Sequence, residues 1–253
     1  YLPCMVLGSL TGISVNLLII IMGIIAIIYS YTGGLKSVLW TDFIQGSVLL
    51  IGVTFALIFL LAHLDGGFGA IAHALTTEHK FLAVDQPIFN ANIFKDSVFI
   101  MIVGAGFNTM ASYVSSQDIV QRFTTTTDTK KLNKMMLANG GLSIFIATVF
   151  YLIGTGLYVF YPPAAAQDQI FASYIAFELP VGVTGLLLAA IYAAAQSTLS
   201  TGLNSVASSW TLDIQARLSK KELSFEKQTK IGQYVSLIVG IFAIVVAMVL
   251  ANG

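Results

Sequence analysis

Between Ala193 and Asp213 the chain reads AAAQSTLSTGLNSVASSWTLD, an apolar run that fills with small and hydroxyl-bearing residues where a lipid-facing helix should stay greasy. At about 100° per residue, Ala194, Ser197, Thr198, Thr201, Asn204, Ser205 and Ser208 form one stripe, with Tyr192, Leu199, Leu203, Val206 and Trp210 opposite. In such a helix a carbonyl at residue i and hydroxyls at i+3 and i+4 point several oxygens toward one spot. Asp42, near the start of another apolar run, can meet Ser200 and Thr201 at similar membrane depth. Hydroxyls, a helix carbonyl and one carboxylate are hard ligands suited to a small alkali cation, unlike the thiolate and imidazole sets that hold zinc or copper. The competing use of small polar residues is close helix packing with interhelical hydrogen bonds.

The elements that would position these groups follow from composition. Hydrophobic residues make up 57% of the 253 residues and charged residues only 9%, with a mean hydropathy of +0.86. Soluble domains carry about 25% charged residues, so this is a multi-span membrane protein. Apolar runs near the roughly 20 residues that cross hydrocarbon predict about six transmembrane helices, at about 6–30, 42–62, 97–120, 136–160, 182–212 and 231–251. The runs are continuous, which excludes the short alternating strands of a barrel. The expected fold is therefore an all-α membrane protein with one transmembrane domain over 1–253. It opens without methionine and stops at the polar end of a helix, as expected of a fragment of a longer protein.

The net charge of +0 hides an uneven distribution. Lys36, then Arg122 with Lys130, Lys131 and Lys134, then Arg217 with Lys220, Lys221, Lys227 and Lys230 lie in alternate connections, whereas the other two loops hold only Lys80 and Lys95. Counting Lys and Arg in this way places the loops near 36, 122–134 and 217–230 in the cytoplasm and the N-terminus outside. The surroundings are then the lipid bilayer of the plasma membrane, and nothing in the pattern points to nucleic acid. Cys4 is the single cysteine, so no internal disulfide forms.

Other polar residues carry weaker signals. Asn16 is expected to hydrogen-bond a neighbouring helix. Asp42 has two readings, a functional intramembrane acid or an N-cap, and Gln45 shares its face one turn on. His63, His73 and His79 lie in one outer loop without metal-ligand spacing, and HLDGGFGAIAHAL there suits a short interfacial helix. Gly104, Gly106, Asn108, Thr109, Ser112, Ser115 and Ser116 interrupt the third run, the pattern of a helix that unwinds at mid-membrane, with packing through small residues as the alternative. Its G-x-G is not a nucleotide loop, because no βαβ unit surrounds it. Pro162-Pro163 ends the fourth run and Pro180 starts the fifth at a tolerated position.

The segments GGLKSVLWTDFIQ, SSQDIVQRF and PVGVTGLLLAAIYAAAQSTLSTGLNSVASSWTLDI, in this order over nearly the whole chain, resemble the sodium:solute symporter family of sodium-coupled sugar, proline, sialic acid, iodide and monocarboxylate carriers. The resemblance implies the fourth to ninth helices of a leucine-transporter-like inverted-repeat bundle, whose broken first helix would precede Tyr1. It implies that the Ala194 carbonyl and the Ser197 and Thr198 side chains supply half of one Na+ site, and that Asp42, Ser197, Ser200 and Thr201 form a second. Asn108, Thr109, Ser112 and Tyr113 would line the solute pocket. Sugar carriers place a lysine where this chain has Ser143, which argues against a sugar and leaves a carboxylate, sialic acid or similar small solute.

The expected function is sodium-coupled symport by alternating access, and the alternative is a symporter-like sensor domain of a signalling protein. A membrane-embedded enzyme is not expected, because the spans hold no His and no cysteine beyond Cys4 to build a nucleophile or metal set. No catalytic residue is assigned.

Overall fold

A computed structural model describes residues 1–77, 87–89, 97–161, 170–219 and 224–252. His79, Lys80, Lys95, Pro162-Pro163, Asp168, Lys220 and Lys221 of the sequence reading lie outside them. All regular structure among the described residues is helical. The helices are α1 (Leu2–Thr11), α2 (Val15–His63), α3 (Gly67–Thr77), α4 (Val98–Ser115), α5 (Gln117–Phe123), α6 (Thr129–Phe160), α7 (Ile170–Ser173), α8 (Val181–Ser208), α9 (Ala216–Leu218) and α10 (Phe225–Asn252). Wider π-type turns at Tyr174–Glu178 and Ser209–Gln215 follow α7 and α8.

Five elements are long and apolar enough to cross a membrane: α2, α4, α6, the run Val181–Gln215 and α10. The first two predicted spans fall on the single element α2. Its 49 residues would, at about 1.5 Å each, exceed the roughly 30 Å hydrocarbon core more than twofold if straight. The helix breaks at Gly34 (φ 52°, ψ −148°), a conformation open to glycine and strained for other residues. The limbs are 15–33 and 35–63. The predicted start at residue 6 is displaced because Gly12, at φ 72°, terminates α1 first.

The chain forms two compact units, Tyr1–Ala56 with Phe171–Gly253, and Leu57–Ile170. In the first unit, packing fixes the helix directions. Ile19 and Met22 meet Leu188, Ile191 and Ala195, while Ala26 and Ile27 meet Leu199 and Leu203, so the first limb runs parallel to α8. On the second limb Asp42 reaches Thr201, whereas Gly52 faces Leu187 and Ala190, so this limb is antiparallel to α8. Gly34 therefore reverses the chain and sets a limb on each side of one helix. Helix α10 runs antiparallel to the first limb, through Asn252 with Asn16, Ile244 with Gly23, Gly240 with Ile27, and Gln233 with Tyr31.

Small residues make these approaches possible, as expected where lipid removes the hydrophobic drive between helices. A Cβ at Gly52 would sit 3.0 Å from the Ala190 Cβ, and one at Gly240 would collide with Ile27. Asn16 and Asn252 exchange side-chain hydrogen bonds of 3.1 and 3.4 Å, the interhelical role expected of Asn16. The Thr184 hydroxyl donates back to the carbonyls of Ile175 (3.1 Å) and Leu179 (3.2 Å), tying the start of α8 to the preceding wide turn.

In the second unit, α3 is the short helix expected from the outer loop, and it buries Ile71 and Ala74. Ile71 and Leu60 close over Gly156 of α6, where a Cβ would come within 2.7 Å of Leu60 Cδ2. Helix α6 starts at Thr129, ahead of the predicted 136, because Asp128 caps it through Lys130 N (2.9 Å). The mid-membrane unwinding expected of the third run is not found. Helix α4 is continuous through Gly104, Gly106 and Asn108 and breaks only at Ser116 (ψ 118°). Single glycines cost a helix only about 1 kcal/mol relative to alanine, too little to open it unaided.

Candidate cation site

Asp42 sits inside the second limb of α2 with helix on both sides. The N-cap reading therefore lapses, since the limb begins directly after Gly34. Opposite it, Ser197 and Thr201 are one turn apart on α8 and share a face. Ser197 Oγ donates to Asp42 Oδ1 at 2.6 Å, and Thr201 Oγ1 donates to Oδ2 at 3.1 Å. Each carboxylate oxygen is thus held by its own hydroxyl. Hydrogen bonds to an ionised acceptor are shorter and roughly twice as strong as neutral ones.

Ser200 joins indirectly. It is fully buried, and its hydroxyl donates to the Ser197 carbonyl at 3.0 Å. Ala194 and Thr198 form a separate pair, in which the Thr198 hydroxyl donates to the Ala194 carbonyl at 3.0 Å. Thr198 is exposed while Ser197 is half-buried. Of the two oxygen sets inferred from the resemblance, the structure joins Asp42, Ser197, Ser200 and Thr201 into one network. The Ser197 hydroxyl turns toward Asp42 and away from the Ala194–Thr198 pair.

The helical wheel separated polar from apolar residues on α8, and burial follows a different stripe. The buried face is Leu187, Ala190, Ala193, Gln196, Ser200, Leu203 and Ala207. Leu203 faces inward with the polar Gln196 and Ser200, because the first limb and α10 cover that side.

Two participants escaped the sequence reading. Gln196 is 1% exposed, with Nε2 donating to the Met22 carbonyl at 3.2 Å. The Tyr29 hydroxyl donates to the Gln196 carbonyl at 3.2 Å. An amide three residues from Ala193 and four from Ser200 on one helix was the available signal for Gln196. Tyr29 carried none, since tyrosine near the end of a span reads as an interfacial anchor.

Asn108, Thr109, Ser112 and Tyr113 all lie on α4 in the other unit. Asn108 and Thr109 are exposed, Ser112 and Tyr113 are half-buried, and the Tyr113 hydroxyl accepts from Asn139 Nδ2 of α6. Among the described residues no cluster of His, Cys, Asp and Glu has the makings of a transition-metal centre. The oxygen-only donors around Asp42 fit an alkali cation.

The family model described as sodium:solute symporter family matches residues 4–253. This chain belongs to the sodium:solute symporter family. The family consists of transporters and not enzymes. The chain is 33% identical to the sodium/sialic acid symporter of Proteus mirabilis (strain HI4320), over 98% of this chain and 51% of that protein. It is 29% identical to a sodium/sialic acid symporter of Aliivibrio fischeri (strain ATCC 700601 / ES114), over 97% of this chain and 49% of that one. It also superposes on the structure of a Na+-coupled sialic acid symporter, described as a substrate-bound outward-open state with a novel Na+-site. That match has a TM-score of 0.90 at 31% identity and covers 100% of this chain and 55% of the other. The chain spans about half the length of these family members. Its helices are those of a multi-pass membrane protein with the leucine-transporter-like fold.

Proposed function

We propose that the protein to which this chain belongs carries a small acidic solute of the sialic acid class across the plasma membrane, driven by Na+. The observation that carries this reading is the Asp42 carboxylate bracketed by Ser197 and Thr201 from a neighbouring helix. The names of both relatives and of the solved neighbour support the solute class and favour transport over a sensing domain.

Na+ bound at Asp42 replaces the hydroxyl protons as partner of the carboxylate, while Ser197 and Thr201 rotate their lone pairs to the ion. The ion then ties the second limb of α2 to α8. The Ala194 carbonyl with Ser197 and Thr198 supplies a second set of oxygens on the exposed side of α8, so Ser197 stands between the two sets and links their occupancies. Binding that favours one arrangement of these helices shifts its population, and by linkage Na+ and solute raise each other's affinity by the same factor. Each Na+ moving down 100 mV contributes about 2.3 kcal/mol.

The charge pattern supports cytoplasmic connections near 36, 122–134 and 217–230, with the N-terminus outside. On α4, Asn108, Thr109, Ser112 and Tyr113 are assigned to the solute by the family resemblance. The test is uptake of radiolabelled sialic acid by the full-length protein in proteoliposomes. A sodium gradient is expected to drive accumulation, and equal uptake with and without sodium would overturn the reading.

A further inference from the structure

Next to Asp42 lies a second group of oxygens that the proposed coupling mechanism leaves unused. The Tyr29 phenol stands beside the side chains of Gln45, Gln196 and Ser200, with the Asp42 carboxylate close by. Gln45 Oε1 and Gln196 Oε1 are both buried and have no hydrogen-bond partner. The Gln196 orientation is fixed, because Nε2 is spent on the Met22 carbonyl and a flipped amide would set oxygen against oxygen. The nearby protons are also committed, with Tyr29 donating to the Gln196 carbonyl and Ser200 to the Ser197 carbonyl. Four side-chain oxygens therefore offer lone pairs around one phenol. A single water could satisfy two acceptors with its protons, and buried acceptors are rarely left without a partner.

We infer that Tyr29, Gln45, Gln196 and Ser200 form a second monovalent-cation subsite, one helical turn from Asp42 toward the N-terminal end of α8. Neutral amide, phenol and hydroxyl oxygens with one neighbouring carboxylate balance a single positive charge, and a divalent ion would lack countercharge. The subsite rests on the proposed sodium coupling, and it gives the ion a position to occupy on its way to or from Asp42. Ser200 is shared, since its carbonyl partner belongs to Ser197 of the Asp42 network.

The test uses crystals of the full-length protein soaked with thallium(I), whose anomalous signal marks monovalent-cation positions. The expected result is one peak at Asp42 and a second beside Tyr29, with the second lost in Gln45→Met. Calorimetric titration of Gln45→Met with sodium is expected to show about tenfold weaker binding, with the variant still folded because Gln45 Oε1 holds no protein partner. Gln196→Leu should act alike, but it also removes the bond to Met22, so Gln45→Met is the deciding variant. A peak at Asp42 alone, or an ordered water beside Tyr29 at saturating sodium, overturns this subsite and leaves the coupling mechanism standing. Peaks at neither position, together with sodium-independent uptake, overturn both.

Discussion

Asp42 Oδ1 and Ser197 Oγ are 155 residues apart in the chain and 2.6 Å apart in the fold. The reversal at Gly34 brings them together, because it lays the second limb of α2 antiparallel along α8. One glycine conformation thus positions the only acid in the site.

Thr201→Val keeps the side-chain shape and deletes the hydroxyl that holds Asp42 Oδ2. Hydrogen bonds to charged groups contribute about 1.5–3 kcal/mol, so the sodium concentration for half-maximal uptake should rise roughly tenfold or more. Thr201→Ser should restore it. Sodium titration of solute uptake measures both.

Ser197→Ala and Thr198→Ala should separate. Ser197 bonds the carboxylate directly, while the Thr198 hydroxyl is already occupied by the Ala194 carbonyl. Both weaken sodium activation, and Ser197→Ala weakens it more. Equal sodium dependence in wild type and both variants would remove these residues from the ion's shell.

Gly34→Ala places a Cβ on a residue at φ 52° with nothing within 4 Å of it. Any loss is therefore backbone strain and not collision, and such strain amounts to about 1–3 kcal/mol. Thermal unfolding in detergent should shift down accordingly, while Gly46→Ala, in open space at an ordinary helical position, should not destabilise.

Gly240→Leu drives a side chain into Ile27 at the contact between α10 and the first limb. Overpacking of this kind costs about 1–3 kcal/mol. Gly232→Ala on the same helix meets only Thr211 Oγ1 at 3.5 Å and should leave stability within about 0.5 kcal/mol. Denaturation of the two variants side by side checks whether the close approach is essential.

Much of the site was legible because intramembrane polarity is sparse. With one acid near a span and one hydroxyl-rich helix, matching their depths was enough to pair Asp42 with Ser200 and Thr201. Asn16 was legible for the same reason. The wheel did not reveal which neighbours cover α8, so it set Leu203 opposite the polar side and gave no warning that Thr198 would be exposed. Nor did it find Gln196 or Tyr29, whose roles arise only when the first limb is laid along α8. On α4, the glycines and small polar residues suggested unwinding, yet propensity alone does not break a helix whose backbone bonds have no better partner in lipid.

The central claim is that Asp42, with Ser197 and Thr201, holds a transported Na+. Its most direct test is the sodium-to-solute coupling ratio, obtained from reversal potentials of the full-length protein in proteoliposomes. The account predicts that Asp42→Asn transports with one sodium ion fewer per solute than wild type, or not at all. An unchanged ratio and undiminished uptake in Asp42→Asn would contradict it.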